Sequence, residues 1–184
     1  YLARVVKEIS MKKQVFYIHG GSTYSEYDNF LNDLKNKTLW SPTGEIPKTW
    51  YQTLREDLGG EYEVFTPRMP NAQNAKYEEW KIWFERHFEY LHDDVVFVGW
   101  SLGGMFLTKY LIENEMPFNA KHLFLLASVL GDGRLNDEHG EDDGDFGYLV
   151  EHIGLLAQKV EGVTIMHSKD DFVVPYEHAL EYKK

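Results

Sequence analysis

Phe97-Val98-Gly99-Trp100-Ser101-Leu102-Gly103-Gly104 sets a serine between glycines, where an apolar strand pattern gives way to a helical one. Glycines two before and two after the serine let strand and helix approach closely, so the backbone reverses sharply and the hydroxyl stands alone at the bend. A serine oxygen presented in this way is placed for nucleophilic attack, provided that a base takes its proton. The first turn of the following helix offers unpaired backbone N–H groups to a developing oxyanion, and Leu102 supplies the first of them. The competing structural role for Ser101 is helix capping, since serine is a favoured N-cap residue. The glycines on both sides favour the nucleophile.

Working outward, five short runs rich in β-branched and aromatic residues, at 14–19, 61–66, 94–99, 121–127 and 162–168, read as strands. Five segments with apolar residues at three-and-four spacing, at 26–37, 76–91, 102–115, 148–159 and 175–183, read as helices. Such alternation implies an α/β protein with a parallel sheet, whose right-handed crossovers place helices on both faces and whose function gathers at strand carboxyl ends. The helix over 76–91 carries Tyr77, Trp80, Phe84, His87, Phe88 and Leu91 in one stripe, which reads as core packing. Trp40, Trp50 and Tyr51 fall in a segment broken by Pro42, Gly44 and Pro47. There they either pin a loop or line a substrate cleft, and pinning is the expectation.

The 184 residues, 43% hydrophobic and 15% aromatic, suit a single domain spanning 1–184. A net charge of -11 argues against a nucleic-acid partner and against an anionic membrane surface, because both are held by clustered Lys and Arg. No run approaches the roughly 18 apolar residues of a spanning helix. None near the start resembles a signal peptide, so a cytoplasmic location is expected. Without cysteine the chain has no disulfide, no thiolate nucleophile and no cysteine-based zinc site. Residues 131–147 hold seven acids against Arg134 alone, in no register that fits a calcium loop. They read as a solvated, mobile loop that could overhang the cleft and disfavour anionic substrates. In residues 1–10, Leu2, Val5, Val6 and Ile9 fall at helical spacing and mark an amphipathic helical segment of uncertain origin.

Directly after the first strand, His19-Gly20-Gly21 puts amides at a strand carboxyl end, where a second oxyanion donor belongs; Gly21 is the candidate, and His19 reads as a loop-shaping residue. After the fifth strand comes His167-Ser168-Lys169-Asp170-Asp171-Phe172-Val173-Val174-Pro175, with two adjacent carboxylates before a helix. One of them is suited to hold a catalytic imidazole in its working tautomer, and one to close an Asx turn.

Taken together, Ile18-His19-Gly20-Gly21, the serine bend and the loop from Ser168 to Pro175 resemble the small α/β-hydrolases related to retinoblastoma-binding protein 9 and bacterial YdeN. The resemblance runs from Met11 to the end of the chain. It implies an α/β-hydrolase fold with a minimal cap, strand order 2-1-3-4-5, no metal, no cofactor and a Ser-Asp-His triad. It selects Asp171, four residues before Pro175, as the acid. It also implies a catalytic histidine in a turn after one further strand; that last strand and histidine loop are expected beyond Lys184, with residues 1–10 in the place of the family's closing helix. His178 satisfies the Ser-Asp-His order, but lying seven residues past Asp171 in a first helical turn it reads as an exposed position rather than the base. The expected reaction is hydrolysis of a small-molecule carboxylic ester, less readily an amide, through an acyl-serine intermediate, as in a carboxylesterase. The rival expectation is a catalytically weak or inactive module on the same scaffold that binds a protein partner.

Overall fold

In the computed structural model, which describes residues 11–39, 48–131 and 141–183, five strands form one parallel sheet in the order β2-β1-β3-β4-β5. They are β1 (Lys13–Ile18), β2 (Tyr62–Phe65), β3 (Val95–Trp100), β4 (Ala120–Leu126) and β5 (Val163–Met166). Order and direction are those expected, and the strand ends differ from the sequence reading by at most two residues. The helices are α1 (Tyr27–Asn36), α2 (Trp50–Leu58), α3 (Tyr77–Glu85), α4 (Leu102–Glu113), α5 (Leu156–Lys159) and α6 (Glu177–Tyr182). The expectations for residues 1–10, for Trp40 and for the acids Asp132, Asp137 and Glu138 lie outside the described residues.

Successive side chains of a strand point to opposite faces, and β1 uses both. Phe16 packs edge-on against Phe84 of α3, with ring centroids 5.3 Å apart, and against Phe97 of β3. Tyr17, on the other face, packs on Trp50 and Tyr51 of α2. Of the stripe expected to be core, Tyr77, Trp80, Phe84 and Leu91 are buried together with Phe106 of α4, while His87 and Phe88 are half-buried.

The structure corrects several expectations about the helices. The run at 76–91 is not one helix, because α3 tightens into a 3-10 turn at Phe88–Tyr90. The His87 ring donates from Nδ1 to Trp83 O at 2.7 Å while its amide turns to Phe84 O at 2.9 Å, an i to i−3 bond. The run at 148–159 is mostly a 3-10 helix, Val150–Leu155, with a single α turn in α5. Gly154 within it disfavours a regular helix. Helix α2 was not expected at all. Gln52 Oε1 accepts the Thr49 N–H at 2.9 Å at its start, and Gly59 ends it at φ 74.

The second half of the acidic stretch is docked, where a solvated, mobile loop was expected. Asp142 accepts from the Ser25 N–H at 2.9 Å and from the Ser25 hydroxyl at 3.1 Å. Asp145 Oδ1 accepts the Tyr77 N–H at 3.0 Å, satisfying an orphan donor in the first turn of α3. Phe146 is fully buried against Tyr77, Trp80 and Phe106. Counting charge identifies solvation but not these specific acceptors. Among the described residues, no helix is long and apolar enough to cross a membrane.

Candidate active site

Ser101 joins β3 to α4 at φ 52 and ψ −121, a backbone region that non-glycine residues rarely occupy. Its N–H donates to Leu126 O at 2.9 Å, and its carbonyl accepts from Gly104 N–H at 3.0 Å. The side chain makes no cap hydrogen bond, so the capping role does not apply. The glycines have separate duties. A Cβ on Gly99 would stand 2.5 Å from Gly104 Cα, and one on Gly103 would collide with the carbonyls of Ile18 and His19.

The loop after β1 lies against the serine. A Cβ on Gly20 would be 3.1 Å from Ser101 Cβ and 3.6 Å from its Oγ, and one on Gly21 would be 3.4 Å from Leu102 Cδ2. Gly20 thus lies beside Ser101, and Gly21 beside the side chain of Leu102. Leu102 opens α4, so its amide has no carbonyl one turn back in the helix. Gly21 is held close to Ala72 by the Ser22 N–H, which donates to Ala72 O at 2.8 Å. His19 shapes this loop. Its Nε2 accepts the Met69 N–H at 2.9 Å, so Nδ1 carries the proton and donates to Gly20 O at 2.6 Å.

At the end of β5, Asp171 closes the turn itself, with Oδ1 accepting the N–H groups of Val173 and Val174, both at 2.9 Å. Its Oδ2 is 3.8 Å from His167 Nε2, which donates to Val174 O at 2.9 Å. Asp170 is exposed, and the Ser168 hydroxyl donating to it holds its carboxyl below the usual range. His178 corrects the expectation of an exposed position. It is 1% exposed, and its Nδ1 accepts the Leu130 N–H at 2.8 Å, which ties α6 to the segment after β4. Among the described residues, no histidine hydrogen-bonds the Ser101 hydroxyl.

Two features of the structure escaped sequence reasoning. The first is a cleft of about 580 Å³ over the carboxyl ends of β1 and β2, walled by Tyr17, His19, Tyr51, Arg55, Glu56 and Arg68. Tyr51 stacks on Tyr17 at 5.2 Å and lies 6.3 Å from the ring of Trp100, next to the serine. Trp50 does the pinning that was expected, whereas Tyr51 also lines the cleft. The pattern Thr49-x-x-Gln52, followed by Gly59, was the available signal for α2 and hence for this wall. The second is a buried hydroxyl cluster behind α4. Tyr148 and Tyr182 meet at 2.6 Å, Tyr182 donates to Val129 O at 2.9 Å, and Thr108 donates to Gly104 O at 2.9 Å. Burial, and then the neighbouring Tyr182, push the Tyr148 phenol well up.

No family model and no curated protein sequence matches the chain. Among solved structures it is similar to the ydeN gene product from B. subtilis, with a TM-score of 0.59 and 18% identity, over 94% of this chain and 82% of that one. The chain has the α/β-hydrolase fold. The YdeN likeness read from the sequence is thereby borne out as a likeness of α/β-hydrolase fold. An extracellular α/β-hydrolase from a Paenibacillus species is similar at a TM-score of 0.39 and 16% identity, over 67% of this chain and 44% of its own. A pyrethroid hydrolase from Sphingobium faniae JZ-2 is similar at 0.37 and 14%, over 68% of this chain and 44% of its own.

Proposed function

We propose that this α/β-hydrolase is a serine hydrolase that cleaves small carboxylic esters, and amides less readily, through an acyl-serine intermediate. The observation that carries the reading is Ser101, a non-glycine residue at φ 52 whose hydroxyl is free of capping and lies beside Gly20 at a strand carboxyl end. Backbone strain of this kind persists only where the surroundings enforce it, and it clusters at active sites.

In the reaction, Ser101 Oγ attacks the ester carbonyl carbon while its proton passes to a histidine base. Negative charge gathers on the carbonyl oxygen, where the N–H groups of Leu102 and Gly21 donate to it. Collapse breaks the carbon–oxygen bond, and the alcohol departs with the proton held by the imidazole. Water then attacks the acyl-serine in the same manner and releases the carboxylic acid. Asp171 orients the base: two amides fix its Oδ1, which leaves Oδ2 to accept an imidazole N–H. Neither a metal nor an organic cofactor is needed for these steps.

The Ser101 hydroxyl has no hydrogen-bonded base among the described residues, and this favours one second reading, a catalytically weak binding module on the same scaffold. A fluorophosphonate probe separates the two. The expected result is a covalent adduct seen by intact mass and absent from Ser101→Ala, together with a loss of ester kcat/KM of about 10³-fold or more in that variant. A folded protein that takes up no probe would overturn the hydrolase reading in favour of the binding module.

A further inference from the structure

Two strained residues stand side by side at the serine bend. Among the described residues, the non-glycine residues at positive φ are Asn71, Asp94, Ser101 and Ala127. Asparagine and aspartate tolerate that region, serine and alanine much less. Ser101 at φ 52 and Ala127 at φ 42 directly follow Trp100 and Leu126, the last paired residues of β3 and β4. The Ser101 N–H donates at 2.9 Å to Leu126 O, the carbonyl of the peptide that leads into Ala127. Strain of this kind persists only where the surroundings over-determine it.

Part of that enforcement comes from α6, which follows the Asp171 loop. Tyr182 in its last turn donates to Val129 O at 2.9 Å, two residues past Ala127. With that proton committed, the Tyr182 oxygen accepts from the Tyr148 hydroxyl at 2.6 Å and from the Ser128 hydroxyl at 3.2 Å. Burial, and then Tyr182 itself, hold the Tyr148 phenol protonated as a donor. Ser128 occupies the space beside Gly104, where a Cβ would collide with the Ser128 hydroxyl. Thr108 completes the cluster. Its hydroxyl lies 3.3 Å from that of Tyr182 and donates to Gly104 O at 2.9 Å, and Gly104 N–H donates to Ser101 O at 3.0 Å. A second contact from α6 holds the same segment, with His178 Nδ1 accepting the Leu130 N–H at 2.8 Å. Thr108, Ser128, Tyr148 and Tyr182 are all buried, and the steps of ester hydrolysis use none of their hydroxyls.

We propose that Tyr182 is a positioning residue for Ser101: its hydroxyl clamps the Ala127–Val129 segment and the first turn of α4, and so maintains the paired bends from which the serine acts. The effect on catalysis rests on the hydrolase reading above; the clamp does not. Helix α6 then couples the Asp171 loop, which it follows, to the nucleophile, with which it shares no strand.

The test is amide hydrogen exchange together with fluorophosphonate labelling, on Tyr182→Phe and on the isosteric Thr108→Val, at a temperature where both match the parent protein in circular dichroism. Thr108→Val keeps the clamp in reach should Tyr182→Phe fail to fold. The Ser101 and Gly104 amides should exchange about ten-fold faster, the cost of one unmade buried hydrogen bond. Amides of α2, on the opposite face of the sheet, should keep their rates, because local openings there leave the cluster intact. Labelling of Ser101 should slow by a similar factor, and ester kcat should fall with KM unchanged. Parent exchange rates at Ser101 and Gly104, or an equal rise in α2, would overturn the clamp. Labelling at the parent rate, or a change in KM alone, would overturn the positioning role. Selective exchange at Ser101 and Gly104 in a parent protein that takes up no probe would overturn the hydrolase reading alone.

Discussion

Ser101 holds its strained backbone because the residues around it have given up their side chains. Gly103→Ala would drive a methyl into the carbonyls of Ile18 and His19, so it should cost about 1–3 kcal/mol or more, whereas Gly154→Ala enters open space and should stabilise by up to about 1 kcal/mol. Urea melts of the two variants check the contrast. His19→Ala leaves the half-buried Met69 amide without its acceptor and should cost about 1–3 kcal/mol in the same measurement. The serine bend was legible in the sequence because glycine and serine act on their immediate neighbours. The tautomer of His19 was not, because its partner lies 50 residues away in the chain.

Among the elements, α3 takes its first-turn acceptor from a distant part of the chain. Asp145→Ala should cost about 0.5–2 kcal/mol and speed hydrogen exchange at the Tyr77 amide, while Phe146→Ala, emptying a fully buried ring site, should cost about 3–5 kcal/mol. Unchanged exchange at Tyr77 in the first variant would show that Asp145 does not cap α3. The same region shows why part of the reading failed. Seven acids in a row of polar residues look solvated, and nothing local reveals that Asp145 meets an amide 68 residues earlier. The strands were legible to within two residues because β-branched runs and their bounding turns are local signals. Helix α2 was legible in principle from Thr49 and Gln52, but the prolines and glycine just before it draw attention to a loop instead.

Across the whole molecule, parallel order followed from strand–helix alternation, and the cleft did not, since it exists only once β1, β2 and α2 are side by side. The packing of the molecule also sets its alkaline limit. Desolvation is the largest influence on Tyr17, Tyr24, Tyr77, Tyr110 and Tyr148, and each phenol is raised above its ordinary value of about 10. A folded-state pKa raised above the unfolded one leaves stability intact below about pH 10 and erodes it as pH climbs toward the folded value, because the unfolded chain releases those protons first. Phenolate absorbance from these five should therefore appear together with the loss of circular dichroism rather than near pH 10. Ionisation of all of them near pH 10 in a folded protein would contradict this.

The aromatic residues beside the serine bend give the protein an optical reporter. Trp80 is sealed in the core, while Trp50 and Trp100 stand 45% and 38% exposed around Tyr17 and Tyr51. Iodide will quench that outer pair and leave the inner light of Trp80 untouched, and Trp100 is the next residue before the serine. Binding next to Ser101 can be followed by fluorescence alone, with no label attached and before any bond is broken.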